Sequence, residues 1–158
     1  MDVFNYSSCE LCARKCGVDR TNGKIGFCKS TDIPKITRAA LHFWEEPIIS
    51  GTRGSGTIFF SGCSLGCVYC QNSRISRAAV GREISADELA GEMLRLESEG
   101  AHNINFVTPT HFAPSIAKSV KIARERGLSV PIVYNTGSYD TVKTIQNLDG
   151  IVAILICS

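Results

Sequence analysis

The stretch at residues 57–70 reads TIFFSGCSLGCVYC. Its first four residues are β-branched or aromatic, which is typical of a buried strand. Cys63, Cys67 and Cys70 follow that strand in the spacing C-x3-C-x2-C. We therefore predict a strand that leads directly into a loop carrying three thiols.

Three thiolates at this spacing are typical ligands of a four-iron iron–sulfur cluster, because soft thiolates suit such clusters. The loop supplies only three of them, so one iron keeps an open position for a substrate. A structural zinc site fits less well, since it normally takes four ligands and often pairs them as C-x2-C. Gly62 and Gly66 allow a tight loop whose backbone N–H groups face the cluster sulfides. We predict Cys63, Cys67 and Cys70 as ligands of a 4Fe–4S cluster.

Beyond this loop, apolar strands alternate with amphipathic helices. Ser85 and Glu88 have the spacing of a capping box, and Gly100 suits the end of the helix that they begin. Pro114 suits the start of a second helix, which Gly127 ends. This alternation predicts parallel strands, hence an α/β fold curving into a partial (β/α) barrel, with the functional site at the strands' carboxyl ends. The other predicted elements are strands at residues 103–108, 131–134 and 151–156 and a helix at 139–147.

The last predicted strand is followed only by Cys157 and Ser158. No helix follows to cover it, and an apolar edge strand is a liability for aggregation. We therefore expect either a core that is truncated after about four strands, at the carboxyl-terminal end, or a partner that covers this strand. Cys157 is predicted to be a small, buried apolar side chain.

Residues 1–40 differ in residue pattern from residues 41–158: they show little hydrophobic periodicity and contain four further cysteines. Cys9, Cys12, Cys16 and Cys28 have the spacing C-x2-C-x3-C-x11-C. Four thiolates complete a coordination sphere, so this segment is predicted to be a small module built around zinc or an auxiliary iron–sulfur cluster. Four free thiols are the alternative.

Charge and the distribution of apolar residues argue against nucleic acids and membranes as partners. Seventeen basic and fifteen acidic residues give a net charge of +2, and no basic run suggests nucleic-acid binding. No apolar run approaches the roughly 20 residues of a membrane-spanning helix. Eight cysteines with tight spacing suit metal binding in a reducing compartment, so the predicted location is the cytoplasm.

Residues 56–72 resemble the radical S-adenosylmethionine core of the pyruvate formate-lyase activating enzyme-like proteins. The N-terminal cysteines narrow the resemblance to a branch with an added cysteine-rich N-terminus. The likeness covers nearly the whole chain up to about Val152. It extends through the motifs C-x2-C-x3-C, GFC, EPIISG, VTPTH and YNT at residues 9–16, 26–28, 46–51, 107–111 and 134–136.

The resemblance implies S-adenosylmethionine as a cofactor, bound to the open iron and cleaved reductively to a 5′-deoxyadenosyl radical. It implies an aromatic residue beside the adenine, a loop after the second strand beside the methionine moiety, and a loop after the third strand beside the ribose. The glycine-glycine-glutamate form of the second-strand motif is absent from this chain. The cofactor-binding residues implied in this way are Tyr69, Thr108, Pro109, Thr110, Asn135 and Thr136.

The predicted function is that of a radical S-adenosylmethionine protein similar to the activating enzymes of glycyl radical enzymes. The resemblance implies a glycyl radical enzyme or another protein as substrate, and a flavodoxin- or ferredoxin-type reductant. His111 is a candidate catalytic base, because it follows the second strand and histidine titrates near neutrality. The alternative is a non-catalytic iron–sulfur or zinc-binding fragment, because family members continue through two further β/α units and carry polar residues where this chain reads LICS.

Overall fold

A computed structural model describes residues 4–78 and 80–157. The strands are β1 Lys35–His42, β2 Ser55–Phe60, β3 Arg82–Glu83, β4 Ile104–Val107, β5 Ile132–Thr136 and β6 Ile154–Cys157. The helices are α1 Pro47–Ser50, α2 Ser73–Ala78, α3 Ala86–Ser98, α4 Ala113–Glu125 and α5 Val142–Asn147. All six strands form one sheet in the order β3-β1-β2-β4-β5-β6.

Four neighbouring strands, β2, β4, β5 and β6, run parallel. Ile58 is paired with Phe106, Phe106 with Tyr134, and Tyr134 with Leu155, so the register stays aligned across the sheet. The carboxyl ends of the four strands therefore meet at one edge. This arrangement confirms the predicted α/β class and is consistent with a partial (β/α) barrel.

Strand β1 was not predicted from the sequence. It runs antiparallel to β2, with Ala40 opposite Thr57, and antiparallel to the short strand β3. Its sequence, KITRAALH, contains two alanines and no strict alternation of apolar and polar residues, so it lacks the usual strand pattern. The predicted division of the chain at residue 40 falls inside this strand.

The two long helices begin and end where the sequence predicts. The Ser85 hydroxyl accepts a hydrogen bond from the Glu88 backbone N–H, and the Glu88 carboxylate accepts one from the Ser85 N–H, which forms the capping box. Pro114 lies in the first turn of α4. Gly100 and Gly127 follow the two helix ends with φ values of +99° and +103°, which suit glycine.

The core lies between the sheet and the helices α3 and α4. Its buried side chains come from alternate positions of β2, β4 and β5 and from the inner faces of the two helices. Because apolar side chains fill these positions, the candidate functional residues lie on the loops at the carboxyl ends of the strands. The central members are Ile58, Phe60, Ile104, Phe106, Ile132, Leu89, Met93, Leu96, Ile116 and Val120.

Strand β6 is more exposed than the sequence suggests. Cys157 is exposed, so the prediction of a buried thiol was wrong. The reason is that β6 lies at the edge of the sheet among the described residues, where Ile154 is 39% and Leu155 45% exposed. Across the part of the chain that the structure describes, no helix has the length and apolar character needed to cross a membrane.

Candidate functional site

The loop with Cys63, Cys67 and Cys70 follows β2 and packs closely against the N-terminal segment. Gly62 and Gly66 have φ values of +81° and +71°, which side chains rarely adopt. A Cβ atom on Gly62 would overlap the carbonyl oxygen of Cys28, and one on Gly66 would lie 2.9 Å from the ring of Phe27. Both positions therefore need glycine, and the close packing fixes the course of the loop.

The three thiols of this loop line one cleft of about 360 Å³ at the carboxyl edge of the sheet. The Leu65 backbone N–H donates to the Cys63 sulfur at 3.4 Å, and the Cys70 sulfur lies 3.5 Å from the Ser76 hydroxyl. Such donors stabilise a thiolate and the sulfides of a cluster. The thiol set and the glycine cradle therefore fit a 4Fe–4S cluster.

The opposite wall of the cleft comes from the loop after β4, the carboxyl end of β5 and the loop that follows β5. Thr108, Thr110 and Asn135 line it, and the Thr108 N–H donates to the Asn135 carbonyl oxygen at 3.1 Å. Thr108 has a φ of +57°, a conformation that costs a β-branched residue about 1–3 kcal/mol. Such strain is common where a backbone is shaped for a ligand. Tyr69 stands at the rim, 99% exposed.

Two of the residues implied to bind the cofactor lie behind this wall. Pro109 is buried and precedes a short turn at residues 110–112. Thr136 is 1% exposed, and its hydroxyl lies 3.1 Å from that of Thr110. Neither Pro109 nor Thr136 lines the cleft. Both therefore shape the wall from behind.

Sequence reasoning missed Asp140, which ties this wall together. Its carboxylate accepts hydrogen bonds from the Thr136 hydroxyl and, at 2.8 Å, from the Tyr134 phenol. Burial raises the pKa of Tyr134 well above its usual value, and the Asp140 charge raises it further, so the phenol stays protonated and donates. The signal in the sequence was a lone acidic residue shortly after a predicted strand.

His111 does not line the cleft. It is buried, and its Nε2 atom lies 2.8 Å from the Ser61 carbonyl oxygen, to which it donates. Burial lowers the pKa of His111 to about 3, the Ser61 hydrogen bond opposes this, and the nearby Arg20 charge lowers it further. The imidazole is therefore neutral at physiological pH and supports the start of the cysteine loop.

Arg14 and Arg77 were also missed, and both bind the cysteine loop from outside. The Arg14 Nε and Nη2 atoms donate to the carbonyl oxygens of Ser64 and Leu65 at 2.6 and 3.1 Å. Arg77 donates to the carbonyl oxygen of Cys67 at 2.8 Å. The Arg14 guanidinium also stacks 3.4 Å from the centroid of the Phe27 ring. No sequence motif signals these contacts, because each arginine reaches backbone atoms.

The four N-terminal cysteines lie near one another. Cys9 and Cys28 are buried, Cys12 is half-buried and Cys16 is exposed. Burial raises the pKa of Cys12, a hydrogen bond from the Arg14 backbone lowers it, and the neighbouring thiols of Cys9, Cys28 and Cys16 raise it. The thiols of Cys9, Cys16 and Cys28 therefore lie within electrostatic range of Cys12.

The described residues contain no three His, Cys, Asp or Glu side chains that converge closely enough to hold a single metal ion. The thiols of a four-iron cluster bind different irons, and so stand further apart than the ligands of one ion. For the N-terminal thiols, a single tetrahedral ion would require them to draw closer together.

Comparison with known proteins agrees with this geometry. The family model of the radical SAM superfamily matches residues 57–155, more than half of the chain. This chain belongs to the radical S-adenosylmethionine superfamily. Membership implies a 4Fe–4S cluster and S-adenosylmethionine, and the matched range contains Cys63, Cys67 and Cys70.

Two curated proteins show similarity to the chain. Uncharacterized protein MJ0674 of Methanocaldococcus jannaschii is 30% identical over 158 aligned residues, which cover 94% of this chain and 44% of that protein. Pyruvate formate-lyase-activating enzyme of Clostridium pasteurianum is 36% identical over 50 residues, 32% of this chain and 21% of that enzyme. The chain therefore spans less than half the length of the relative that it matches almost throughout.

Proposed function

We propose that this chain binds a 4Fe–4S cluster through Cys63, Cys67 and Cys70 and uses it to cleave S-adenosylmethionine. One observation carries the proposal: the three thiols share a cleft with Thr108, which follows β4, and with Asn135, which lies at the carboxyl end of β5. Cys63, Cys67 and Cys70 would hold the cluster, which would supply the single electron needed to cleave the sulfonium of S-adenosylmethionine into methionine and a hydrogen-abstracting 5′-deoxyadenosyl radical.

The residues of the chain supply binding and orientation. We assign the adenine side of the cofactor to Tyr69, whose exposed ring stands beside Cys70 at the cleft rim. The methionine moiety is assigned to the loop of Thr108, Pro109 and Thr110. Thr108 and Thr110 line the cleft, and the strained backbone at Thr108 supports this assignment.

The ribose side is assigned to Asn135, with Thr136 acting from behind it. The Thr136 hydroxyl lies against Thr110 and donates to Asp140, so its hydrogen bonds hold the two loops in register. A fixed pair of loops binds a cofactor with little loss of conformational freedom. His111 is proposed as a support of the cysteine loop, since its ring donates to Ser61 and does not line the cleft.

Within the superfamily, the chain is proposed to belong to the activating-enzyme branch. The similarity to a protein named pyruvate formate-lyase-activating enzyme supports this assignment. We propose a glycyl radical enzyme or another protein as substrate, a flavodoxin- or ferredoxin-type reductant, and the cytoplasm as the location. Residues 1–40 are proposed as a module with its own metal centre, either zinc or a second iron–sulfur cluster.

The test is anaerobic reconstitution with iron and sulfide, dithionite reduction and chromatography for 5′-deoxyadenosine after S-adenosylmethionine is added. We expect 5′-deoxyadenosine from the native chain and none from a triple variant with Cys63→Ala, Cys67→Ala and Cys70→Ala. Cys157→Ala removes an exposed thiol outside the cleft and is the matched control, which should retain full cleavage. A reducible cluster without any cleavage would contradict the proposal and indicate a non-catalytic metal-binding protein.

A further inference from the structure

Arg20 is a buried arginine beside the N-terminal thiols. Its side chain is fully buried, in a short turn at residues 20–22. Its Nη1 atom donates to the His111 carbonyl oxygen at 2.6 Å and lies 3.6 Å from the Cys9 sulfur. Its Nε and Nη2 atoms donate to the carbonyl oxygens of Ser30 and Thr31 at 2.6–3.1 Å. Apart from the Cys9 sulfur, the hydrogen-bond acceptors of Arg20 are therefore neutral carbonyl groups.

The charge of Arg20 has no carboxylate partner in the described residues. No Asp or Glu of residues 4–78 or 80–157 forms an ion pair with it. An arginine stays protonated in proteins, and a buried charge without an opposite charge is destabilising, because its loss of hydration is not offset. The site therefore calls for a negative group that contacts the guanidinium.

Among the described residues in contact with Arg20, the groups that can become anionic are the Tyr6 phenol and the Cys9 thiol. Tyr6 packs its ring 4.5 Å from the Arg20 guanidinium, and its hydroxyl lies 2.7 Å from that of Ser115. Burial raises the pKa of Tyr6 to about 12, although the Ser115 hydrogen bond and the Arg20 charge lower it, so the phenol stays neutral. Cys9 remains, and a thiol that binds a metal is deprotonated outright.

We infer that Arg20 is the buried counter-cation of a metal–thiolate centre formed by Cys9, Cys12, Cys16 and Cys28. This inference rests on the proposed metal centre of the N-terminal module and names the residue that stabilises it. Four thiolates around a divalent ion or a four-iron cluster carry a net negative charge. A fully buried guanidinium in contact with one of those sulfurs balances that charge in a medium of low dielectric constant. Arg20 is thus a positioning and charge-balancing residue, not a ligand.

The backbone between Cys9 and Gly17 folds back on itself. The Gly17 N–H donates to the Cys9 carbonyl oxygen at 3.0 Å, and the Lys15 N–H donates to that of Cys12 at 3.0 Å. Lys15 and Gly17 have φ values of +43° and +64°, so the chain reverses direction between Cys12 and Gly17. A reversal of this kind lets nearby thiols approach one centre.

The test uses the full chain with Cys63→Ala, Cys67→Ala and Cys70→Ala, so that bound metal reports the N-terminal site alone. Two further substitutions separate charge from hydrogen bonding: Arg20→Gln removes the charge and keeps N–H donors, and Arg20→Lys keeps the charge. Zinc affinity is measured by competition with a chromophoric chelator, and a parallel anaerobic arm uses iron and sulfide. Whichever arm gives stoichiometric binding identifies the metal.

We expect Arg20→Gln to weaken metal binding by about 10–100-fold and Arg20→Lys by about threefold or less, as for other residues that support metal ligands. Arg124→Gln is the matched control, because Arg124 also donates to a carbonyl oxygen, that of Leu128, and lies on α4. It should leave metal affinity unchanged. Circular dichroism of each metal-free variant verifies that it is folded.

Equal metal affinity in the Gln and native chains would overturn the inference, and so would equal losses in the Gln and Lys variants. If Arg20→Gln does not fold, the Arg20→Lys variant decides. Native metal affinity in the folded Lys variant supports the role of charge, whereas a tenfold loss of metal affinity overturns the inference. Failure of S-adenosylmethionine cleavage is a separate result, because the chain used here lacks the cysteines of the cleft.

Discussion

At the scale of single residues, His111 shows how burial changes the chemistry of a side chain. Its position after a strand suggested a catalytic base, but its ring is buried and donates to the Ser61 carbonyl oxygen. The Arg20 guanidinium donates to the His111 carbonyl oxygen, so a cation lies close to the ring. Both burial and this charge favour the neutral imidazole. His111 therefore stabilises the conformation of the cysteine loop.

His111 should make the metal-free chain sensitive to acid. Its pKa is about 3 in the folded chain against an ordinary 6.5, so the unfolded chain binds more protons below pH 6.5 and stability falls as the pH falls toward 3. We expect a loss of about 2–3 kcal/mol of unfolding free energy from His111 between pH 6.5 and about 4.5. Urea unfolding at several pH values measures it.

A His111→Gln variant should show a shallower dependence of stability on pH, because the amide can still donate to Ser61 and does not titrate. His102→Gln serves as the control. This histidine is partly exposed and lies just before β4, at the amino ends of the parallel strands. Parallel pH profiles for the native chain and His111→Gln would show that His111 does not protonate on unfolding.

At the scale of elements, the cysteine loop is held from several sides. Arg14 binds the carbonyl oxygens of Ser64 and Leu65, and Arg77 binds that of Cys67. Arg14 belongs to the N-terminal segment, between Cys12 and Cys16, so it joins that segment to the loop. A guanidinium suits this task, because its planar fork reaches two acceptors while its face stacks on an aromatic ring.

Arg14→Ala should speed the loss of iron from the reconstituted cluster to a chelator by about tenfold, because the loop loses two of its anchors. Arg14→Lys should fall between this variant and the native chain, since one ammonium cannot reproduce both bonds and the stacking on Phe27. The decay of the cluster's visible absorbance measures the rate. Arg124→Ala should match the native chain, and an unchanged rate in Arg14→Ala would exclude this role.

At the scale of the whole molecule, the sheet has a covered side and an open edge. Strand β6 forms that edge among the described residues, with Leu155 45% exposed beside an apolar groove of about 410 Å³. The groove lies between α5 and β6, and its walls include Ile145, Leu148 and Val152. An exposed apolar edge strand pairs readily with another copy.

Leu155→Lys should therefore reduce self-association of the purified chain at high concentration, because a charge on an edge strand disfavours pairing. Light scattering during size-exclusion chromatography measures the associated fraction, which should fall severalfold. Val142→Lys is the control, since Val142 is 75% exposed but lies on α5. If both variants associate like the native chain, the edge of β6 is not the contact.

The predictable parts of the fold are those with local signals. The capping box at Ser85 and Glu88, Pro114 in the first turn of α4 and the four parallel strands were all predicted from short-range patterns. Strand β1 was missed because its two alanines and mixed burial give no period of two. Its pairing with β2, a strand formed by residues later in the chain, holds it in place.

By itself, the sequence determined the superfamily and the α/β class, because cysteine spacing and hydrophobic period are local properties of a chain. Only the tertiary structure decided that Arg14 holds the cysteine loop and that Arg20 is buried between Cys9 and His111. These contacts join residues separated by 50 and 91 positions. They involve backbone carbonyl groups, which every residue possesses, so no residue type in the sequence marks them.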